Sequence, residues 1–296
     1  MGILQPTLDG NELTVSMIMS NPSFITAKVD ELTETEELLS TFFRPYASKV
    51  EGGGILHPVS RQGDQYTVDD VVERGPGDEY RTVQALDPEY RLAVLRDFGG
   101  KFEVTDEEVD RNDIVAMNLK VKQLTNTLVR KLNRSALASV EKALAELPGA
   151  GTIASTASWS DLVTVGPLDQ ITPNAARPMA DMVRAQLAAD EEELGIKHDL
   201  LLVSPQQEAD LRIGYGDTLA AVLASTGLSL KSSPYVADGT AYVLAKGKVG
   251  YVGYERRLTV EYIDKREVRS KVVQAYAVPS FAVDQPRAIK KIVGIG

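Results

Sequence analysis

Val104-Thr105-Asp106-Glu107-Glu108-Val109-Asp110 is the stretch on which the fold reading turns. Thr105 and Glu108 stand three residues apart, the spacing of a capping box. In that motif a hydroxyl and a carboxylate each accept one of the backbone N–H groups left over at a helix start. Val104 and Val109 have the spacing of a hydrophobic staple across the same cap. Asp106, Glu107, Glu108 and Asp110 set negative charge at the positive end of the helix dipole. Downstream, no proline or glycine occurs until Pro148–Gly149. Ile114, Met117, Val121, Leu124, Leu128 and Leu132 recur three or four residues apart. Leu137, Val140 and Leu144 continue the series after the polar Asn133–Arg134–Ser135. The pattern predicts one helix of about 40 residues, roughly 60 Å long. That exceeds an ordinary globular helix and suits a spine or a bundle member.

On the N-terminal side, residues 50–99 carry no helical period. Gly52–Gly53–Gly54, Arg61–Gln62–Gly63–Asp64, Arg74–Gly75–Pro76–Gly77–Asp78 and Gly99–Gly100 punctuate short alternating runs at Gln65–Val71 and Tyr80–Ala85. This predicts strands joined by glycine turns, polar enough to project as a long hairpin. Further upstream, Glu36–Glu37 lead into Leu38, Leu39, Phe42 and Phe43, a short amphipathic helix ended by Arg44–Pro45. The alternation from Leu13 to Ile18 reads as an extended arm with a short strand.

On the C-terminal side the pattern is mixed. Helices are expected at Asn174–Ala189, behind Thr172–Pro173, from Ser204–Pro205 to about Leu211, and at Thr218–Ser225. Strands are expected at Leu200–Val203, Ala241–Leu244 and Val249–Val252. A hairpin, Leu258–Ile263 with Glu267–Val278, turns at Asp264–Lys265–Arg266, and Ala288–Ile295 is a last strand. The fold class is α+β.

With 296 residues and 43% hydrophobic content, the chain suffices for one large core or two smaller ones. It has no cysteine, which excludes disulfides and cysteine-held metals. No secretory leader is expected, and no apolar run is long enough to span a membrane. A net charge of −10 repels nucleic-acid backbones at long range. This argues against sequence-reading DNA binding but not against a container for DNA.

The search for chemistry ends without a constellation. His57 and His198 are far apart in sequence, and neither neighbours a Gly-x-Ser-x-Gly elbow. Gly214–Tyr215–Gly216 meets Leu219 where a dinucleotide loop needs glycine, and Gly247–Lys248 lacks the rest of a P-loop, so both read as turns. Asp69–Asp70 reads as a solvated loop pair, Glu107–Glu108 as a helix-dipole pair, and Glu191–Glu192–Glu193 as a solvated face near a helix end. No catalytic, cofactor-binding or metal-ligating residue is assigned, and no enzyme activity is expected. Composition and spacing stop at an α+β protein with a projecting hairpin and a long spine helix.

Several segments, in order, resemble the major capsid proteins of tailed bacteriophages, whose fold is shared with encapsulin shells. They are Val72–Tyr80, Phe98–Glu107, Leu124–Leu132, Leu200–Pro205, and Pro279 followed by Pro286–Ile295. The resemblance covers roughly residues 35–296. It implies the tailed-phage capsid fold, with an N-terminal arm, an extended β-hairpin loop, a peripheral domain holding the spine helix, and an axial α/β domain. The divisions it implies are arm and short helix at 1–48, strand and extended loop at 49–100, and peripheral domain at 101–159. The axial domain follows at 160–253, a peripheral hairpin at 254–278 and an axial C-terminal strand at 279–296.

The implied function is a structural subunit that assembles as hexamers and pentamers into an icosahedral capsid around double-stranded DNA, without sequence-specific binding and without a membrane. The implied setting is the virion, after assembly in the host cytoplasm. The implied partners are other copies of the chain, a separate scaffolding protein and a portal. The loop at 60–99 holds no lysine, so the covalent cross-link of some relatives is not expected. An encapsulin-like compartment and a carboxylate-dependent hydrolase are the alternatives.

Overall fold

The computed structural model describes residues 38–61, 63–64, 66–111, 114–147 and 151–296. In chain order the elements begin with α1 (Leu38–Phe42), β1 (Phe43–Pro45), β2 (Gly54–Val59), β3 (Glu89–Val94), β4 (Phe98–Thr105), α2 (Asp106–Asp110) and α3 (Ile114–Ala145). Then come β5 (Thr152–Ala154), α4 (Pro178–Asp190), β6 (Leu200–Val203), α5 (Pro205–Tyr215), α6 (Leu219–Thr226) and β7 (Ser229–Ser232). The last are β8 (Thr240–Leu244), β9 (Gly250–Lys265), β10 (Ser270–Ala282) and β11 (Ile289–Val293). Among the described residues, one compact unit comprises Leu95–Ser135 and Tyr254–Pro279, and a second comprises Leu38–Val94, Ala136–Gly253 and Ser280–Gly296. The strand expected at Leu13–Ile18 and the acidic lead-in to α1 lie outside the described residues.

In the first unit, β4 pairs antiparallel with β10, from Thr105↔Ser270 to Phe98↔Ala277. Its core is Val104 of β4, Val121 and Leu128 of α3, Val260 of β9, and Val273 and Ala275 of β10. The capping box forms as the spacing predicts: the Glu108 N–H donates to Thr105 Oγ1 at 3.2 Å and the Thr105 N–H to Glu108 Oε2 at 3.3 Å. The staple contact of Val104 with Val109 lies outside the described residues.

The expected single helix of about 40 residues is corrected in one respect. The cap opens a one-turn helix, α2, and the spine proper is the 32-residue α3, about 48 Å long. Between them the described chain leaves the helix in a turn at Arg111, and residues 112–113 lie outside the described residues. Asn133 and Ser135 are buried within an unbroken α3 rather than interrupting it.

The second unit is built on a five-stranded sheet of order β5-β11-β8-β6-β7. β11 pairs antiparallel with β8, and β8 with β6, while the outer pairs β5–β11 and β6–β7 are parallel. Leu200–Val203 is buried at every position, the signature of a strand covered on both faces. On one face lie Phe42, Leu137, Val140 and Leu144 with Leu200, Leu202 and Tyr242. On the other lie Trp159, Met182, Leu211 and Tyr215 with Leu201, Val203 and Ile292. Asp181, itself buried, accepts hydrogen bonds from Trp159 Nε1 at 3.1 Å, Ser155 Oγ at 2.6 Å and Arg184 at 3.0 Å, which fixes α4 on that layer. At Gly250 an added Cβ would stand 2.2 Å from the Ala282 carbonyl oxygen, so only glycine fits the close approach of β9 to β10 there.

Four further expectations shift. The helix at Asn174–Ala189 divides into a 3₁₀ turn, Asn174–Ala176, and α4, because Pro178 takes the first helical position. Val249–Val252 and Leu258–Ile263 are parts of one strand, β9, since the charged residues between them lie exposed along it. The final strand is β11, shorter than Ala288–Ile295. Among the described residues, the hairpin strands expected at Gln65–Val71 and Tyr80–Ala85 are absent. Pairing is confined to β2 and β3, Gly54↔Val94 through Val59↔Glu89, and beyond it the Val68 N–H donates to the Gln84 carbonyl at 2.9 Å. No described residue from 60 to 88 is buried, so a strand pair there would have no apolar face to drive it.

Candidate functional site

The titratable residues singled out from the sequence do not converge. His57 is buried on β2, 3.3 Å from the Ile55 carbonyl through Nδ1 and edge-on to Tyr251. His198 is buried ahead of β6, and neither ring nitrogen has a hydrogen-bond partner. Asp69 pairs with Arg81 at 3.0 Å in the hairpin tip, and Glu108 pairs with Lys120 at 3.0 Å beside its cap. Gly214 lies inside α5 rather than in a turn, where an added Cβ would meet Leu162 at 2.6 Å. Gly247 does lie in a turn, with a left-handed φ of 67°. Among the described residues no group of three or more His, Asp or Glu could hold a metal ion, and no helix is long and apolar enough to cross a membrane.

Burial pushes His198 down to about 4, helped by the positive charge of Lys290 and Lys197 and opposed by Asp190 and Asp199. An exposed histidine takes its proton near 6.5, so on acidification the unfolded chain is protonated first. Stability therefore falls as pH drops from about 6.5 to about 4, by on the order of 3 kcal/mol from this ring. Urea titrations at pH 7 and pH 4 should show that His198→Leu removes that increment. An equal acid loss in the variant contradicts the assignment.

One acidic reading is overturned. Glu192 is buried, with only its neighbours in the Glu191–Glu192–Glu193 run exposed. Lys290 Nζ donates to Glu192 Oε1 at 2.7 Å and Arg287 lies 2.8 Å from the same oxygen. Lys290 itself is fully buried on β11, and that burial lowers its pKa against the opposing pull of Glu192. These partners are nearly 100 residues away in sequence, so the run alone gives no sign of them.

What the chain offers instead is surface. On the β2–β3 ribbon, Ile55, His57, Val59 and Ala93 face inward. The outward face carries Leu56 opposite Leu92 and Pro58 opposite Tyr90, with Val94 at the end. Leu56 is 66% exposed, Leu92 61% and Tyr90 60%. Farther out, Tyr66, Val68, Val71, Val72 and Tyr80 are exposed as well. Exposed apolar side chains grouped in this way make the ribbon a candidate contact surface. Hydropathy along β2 hid it, because the buried Ile55 and Val59 and the exposed Leu56 and Pro58 are all apolar.

Two hollows open on described residues of the first unit. A groove of about 990 Å³ runs over Lys101, Glu255, Arg256, Glu261, Gln274 and Tyr276. Across it Arg256 donates to the Tyr276 hydroxyl at 2.7 Å, which donates to Glu261 at 2.5 Å. The Tyr276 bond is also the main reason the Arg256 pKa is raised. The arrangement is a satisfied polar strip with no nucleophile. A second hollow, about 330 Å³, lies where α3 meets the start of β4 and is lined by Asp97, Phe98, Thr127, Arg130, Lys131 and Arg134.

Comparison with known proteins gives three findings. The family profile described as phage capsid protein matches residues 89–292. No curated protein matches the sequence. Among solved structures, the chain is similar to the virus-like particle from Pyrococcus furiosus, with a TM-score of 0.62 at 14% identity over 91% of this chain and 98% of that one. It is also similar to a chain of Mycobacterium phage Bobi, with a TM-score of 0.59 at 14% identity over 88% and 90% of the two chains. For the capsid of Myoviridae phage XM1 the TM-score is 0.57 at 11% identity over 87% and 91%.

Proposed function

The chain belongs to the phage capsid protein family, and from that premise we propose that this structural subunit of the capsid assembles as hexamers and pentamers into an icosahedral shell around double-stranded DNA. The observation that carries the reading is the β2–β3 ribbon, whose outward apolar face and tip the subunit itself leaves uncovered. A contact of that kind is heterologous: the ribbon of one copy meets a different surface on the next. Such contacts close into rings and cages when the rotation closes.

In this reading residues 1–48 are the arm and short helix, and 49–100 the strand and extended loop. Residues 101–159 with 254–278 form the peripheral domain, and 160–253 with 279–296 the axial domain. The clustering of Leu95–Ser135 with Tyr254–Pro279 in one unit supports joining the Ile114–Ser135 part of the spine helix to the β9–β10 hairpin, while the rest of the helix clusters with the second unit. The subunit performs no catalytic step. A separate scaffolding protein and a portal complete the shell in the host cytoplasm, and contacts across subunits are non-covalent.

A second reading, a compartment for protein cargo, is favoured by the likeness to the Pyrococcus furiosus virus-like particle. Sedimentation velocity of the full-length chain, expressed with and without its phage's scaffolding protein, tests both. Large closed species are expected. Nucleic acid in them supports the first reading, and a co-purifying protein with no nucleic acid supports the second. A strictly monomeric profile under every condition removes both.

A further inference from the structure

From Ile114 to Val140, α3 carries charge of one sign only. From Ile114 to Val140 the sequence holds five cations (Lys120, Lys122, Arg130, Lys131 and Arg134) and no aspartate or glutamate, in a chain with 42 acidic residues to 32 basic ones. Lys120 is paired with Glu108. Lys122, Arg130 and Arg134 are exposed and have no ion pair among the described residues, and Lys131 has only the face of Phe98, 5.9 Å from its Nζ. Elsewhere the surface intersperses the two signs, as in Arg81–Asp69, Arg212–Glu208 and Lys265–Glu103. Four cations repelling one another over about 18 Å of helix lower the stability of the isolated subunit. A polyanion would turn that repulsion into attraction.

Three of the four also converge. Arg130, Lys131 and Arg134 line the 330 Å³ hollow at the start of β4, and its single carboxylate is that of Asp97. Two guanidiniums and an ammonium around a hollow match phosphate oxygens, which guanidinium forks bind in bidentate fashion.

We propose that Arg130, Lys131 and Arg134 form a sequence-independent phosphate subsite for the backbone of the enclosed double-stranded DNA, with Lys122 extending it one further contact along the helix. The proposal rests on the shell reading. The net charge of −10 does not oppose it, because a single basic face on an acidic wall holds the packed strand at a few points and repels it elsewhere. Each subunit makes few contacts, so binding is weak per copy and strong only when many copies act together.

The test is a fluorescence-anisotropy titration of the unassembled full-length chain against a duplex of about 20 base pairs, at about 50 and 200 mM salt. Each phosphate contact adds about 0.9 to the slope of log affinity against log salt, so the three subsite contacts account for about 40-fold of the wild type's loss between those two conditions, and Lys122 for a further factor of about 3.5. The triple variant R130Q/K131Q/R134Q should lose that salt dependence and most of the binding, with an unchanged circular-dichroism spectrum. The charge-preserving R130K/R134K should retain the salt dependence and lose part of the affinity, because an ammonium lacks the guanidinium fork. An unchanged slope in the triple variant, or no duplex binding by the wild type, overturns the proposal. A synthetic peptide of residues 60–88, with seven carboxylates to three arginines, is the competing ligand. If it binds the hollow and the duplex does not, the hollow receives a second copy and the proposal also falls. Micrographs of the same samples separate the two claims. Shells without duplex binding remove the subsite alone, whereas duplex binding without shells under any condition removes the shell reading.

Discussion

Replacing residues 62–87 by Asn-Gly is expected to leave a folded subunit that forms no closed shell. The replacement keeps Val59 opposite Glu89, so β2 and β3 stay paired through a five-residue connection. No described residue between 60 and 88 is buried, so the cut removes little that the subunit uses for its own stability. Loop length costs only about 0.6 kcal/mol per doubling, and a shorter loop is if anything favourable. The melting temperature should therefore move by only about 5 °C or less. Assembly should fail completely, because the deleted tip carries Tyr66, Val68, Val71, Val72 and Tyr80, all exposed. Thermal melts and sedimentation measured together decide the matter. Normal shells from the replacement show that the ribbon is not the assembly contact. Loss of the fold shows that the tip serves the subunit itself.

The second large effect is expected at Glu192. Its carboxylate is the shared acceptor for Lys290 and Arg287 in the interior of the second unit. Removing one member of a buried ion cluster leaves the others charged and desolvated, which typically costs 3–5 kcal/mol. Glu192→Ala should therefore lower the melting temperature by roughly 10 °C or more. Adding Lys290→Met should restore a large part of the loss, since it removes a fully buried ammonium and leaves an apolar chain of similar length. A double variant as unstable as the sum of the two single changes contradicts the coupling. A single variant within about 1 kcal/mol of wild type shows that Glu192 is solvated.

The contrast between these two sites shows what the chain displays locally. The capping box at Thr105 and Glu108, the apolar period of α3 and the wholly apolar Leu200–Val203 are legible because neighbouring residues decide them. The four-residue β7 and three-residue β5 escape detection because they are short edge strands held by their partners, β6 and β11. β9 reads as two strands because its charged middle is exposed, and only pairing with β10 reveals its continuity. Glu192 reads as solvent-facing because its neighbours are, while its partners sit on the far C-terminal segment. The ribbon's contact face is legible only once the register is known, since Leu56 and Leu92 meet across strands 36 positions apart. Of the exposed surfaces, the basic side of α3 is the one that sequence alone carries, as a long run free of acidic residues.

The central claim is that this chain builds a closed shell, and electron micrographs of the assembled full-length protein test it most directly. Closed particles of uniform diameter with five-fold vertices are expected, formed with the scaffolding protein present and lost in the 62–87 replacement. Wild-type chain that remains monomeric, or yields only open and irregular aggregates, under the same conditions contradicts it.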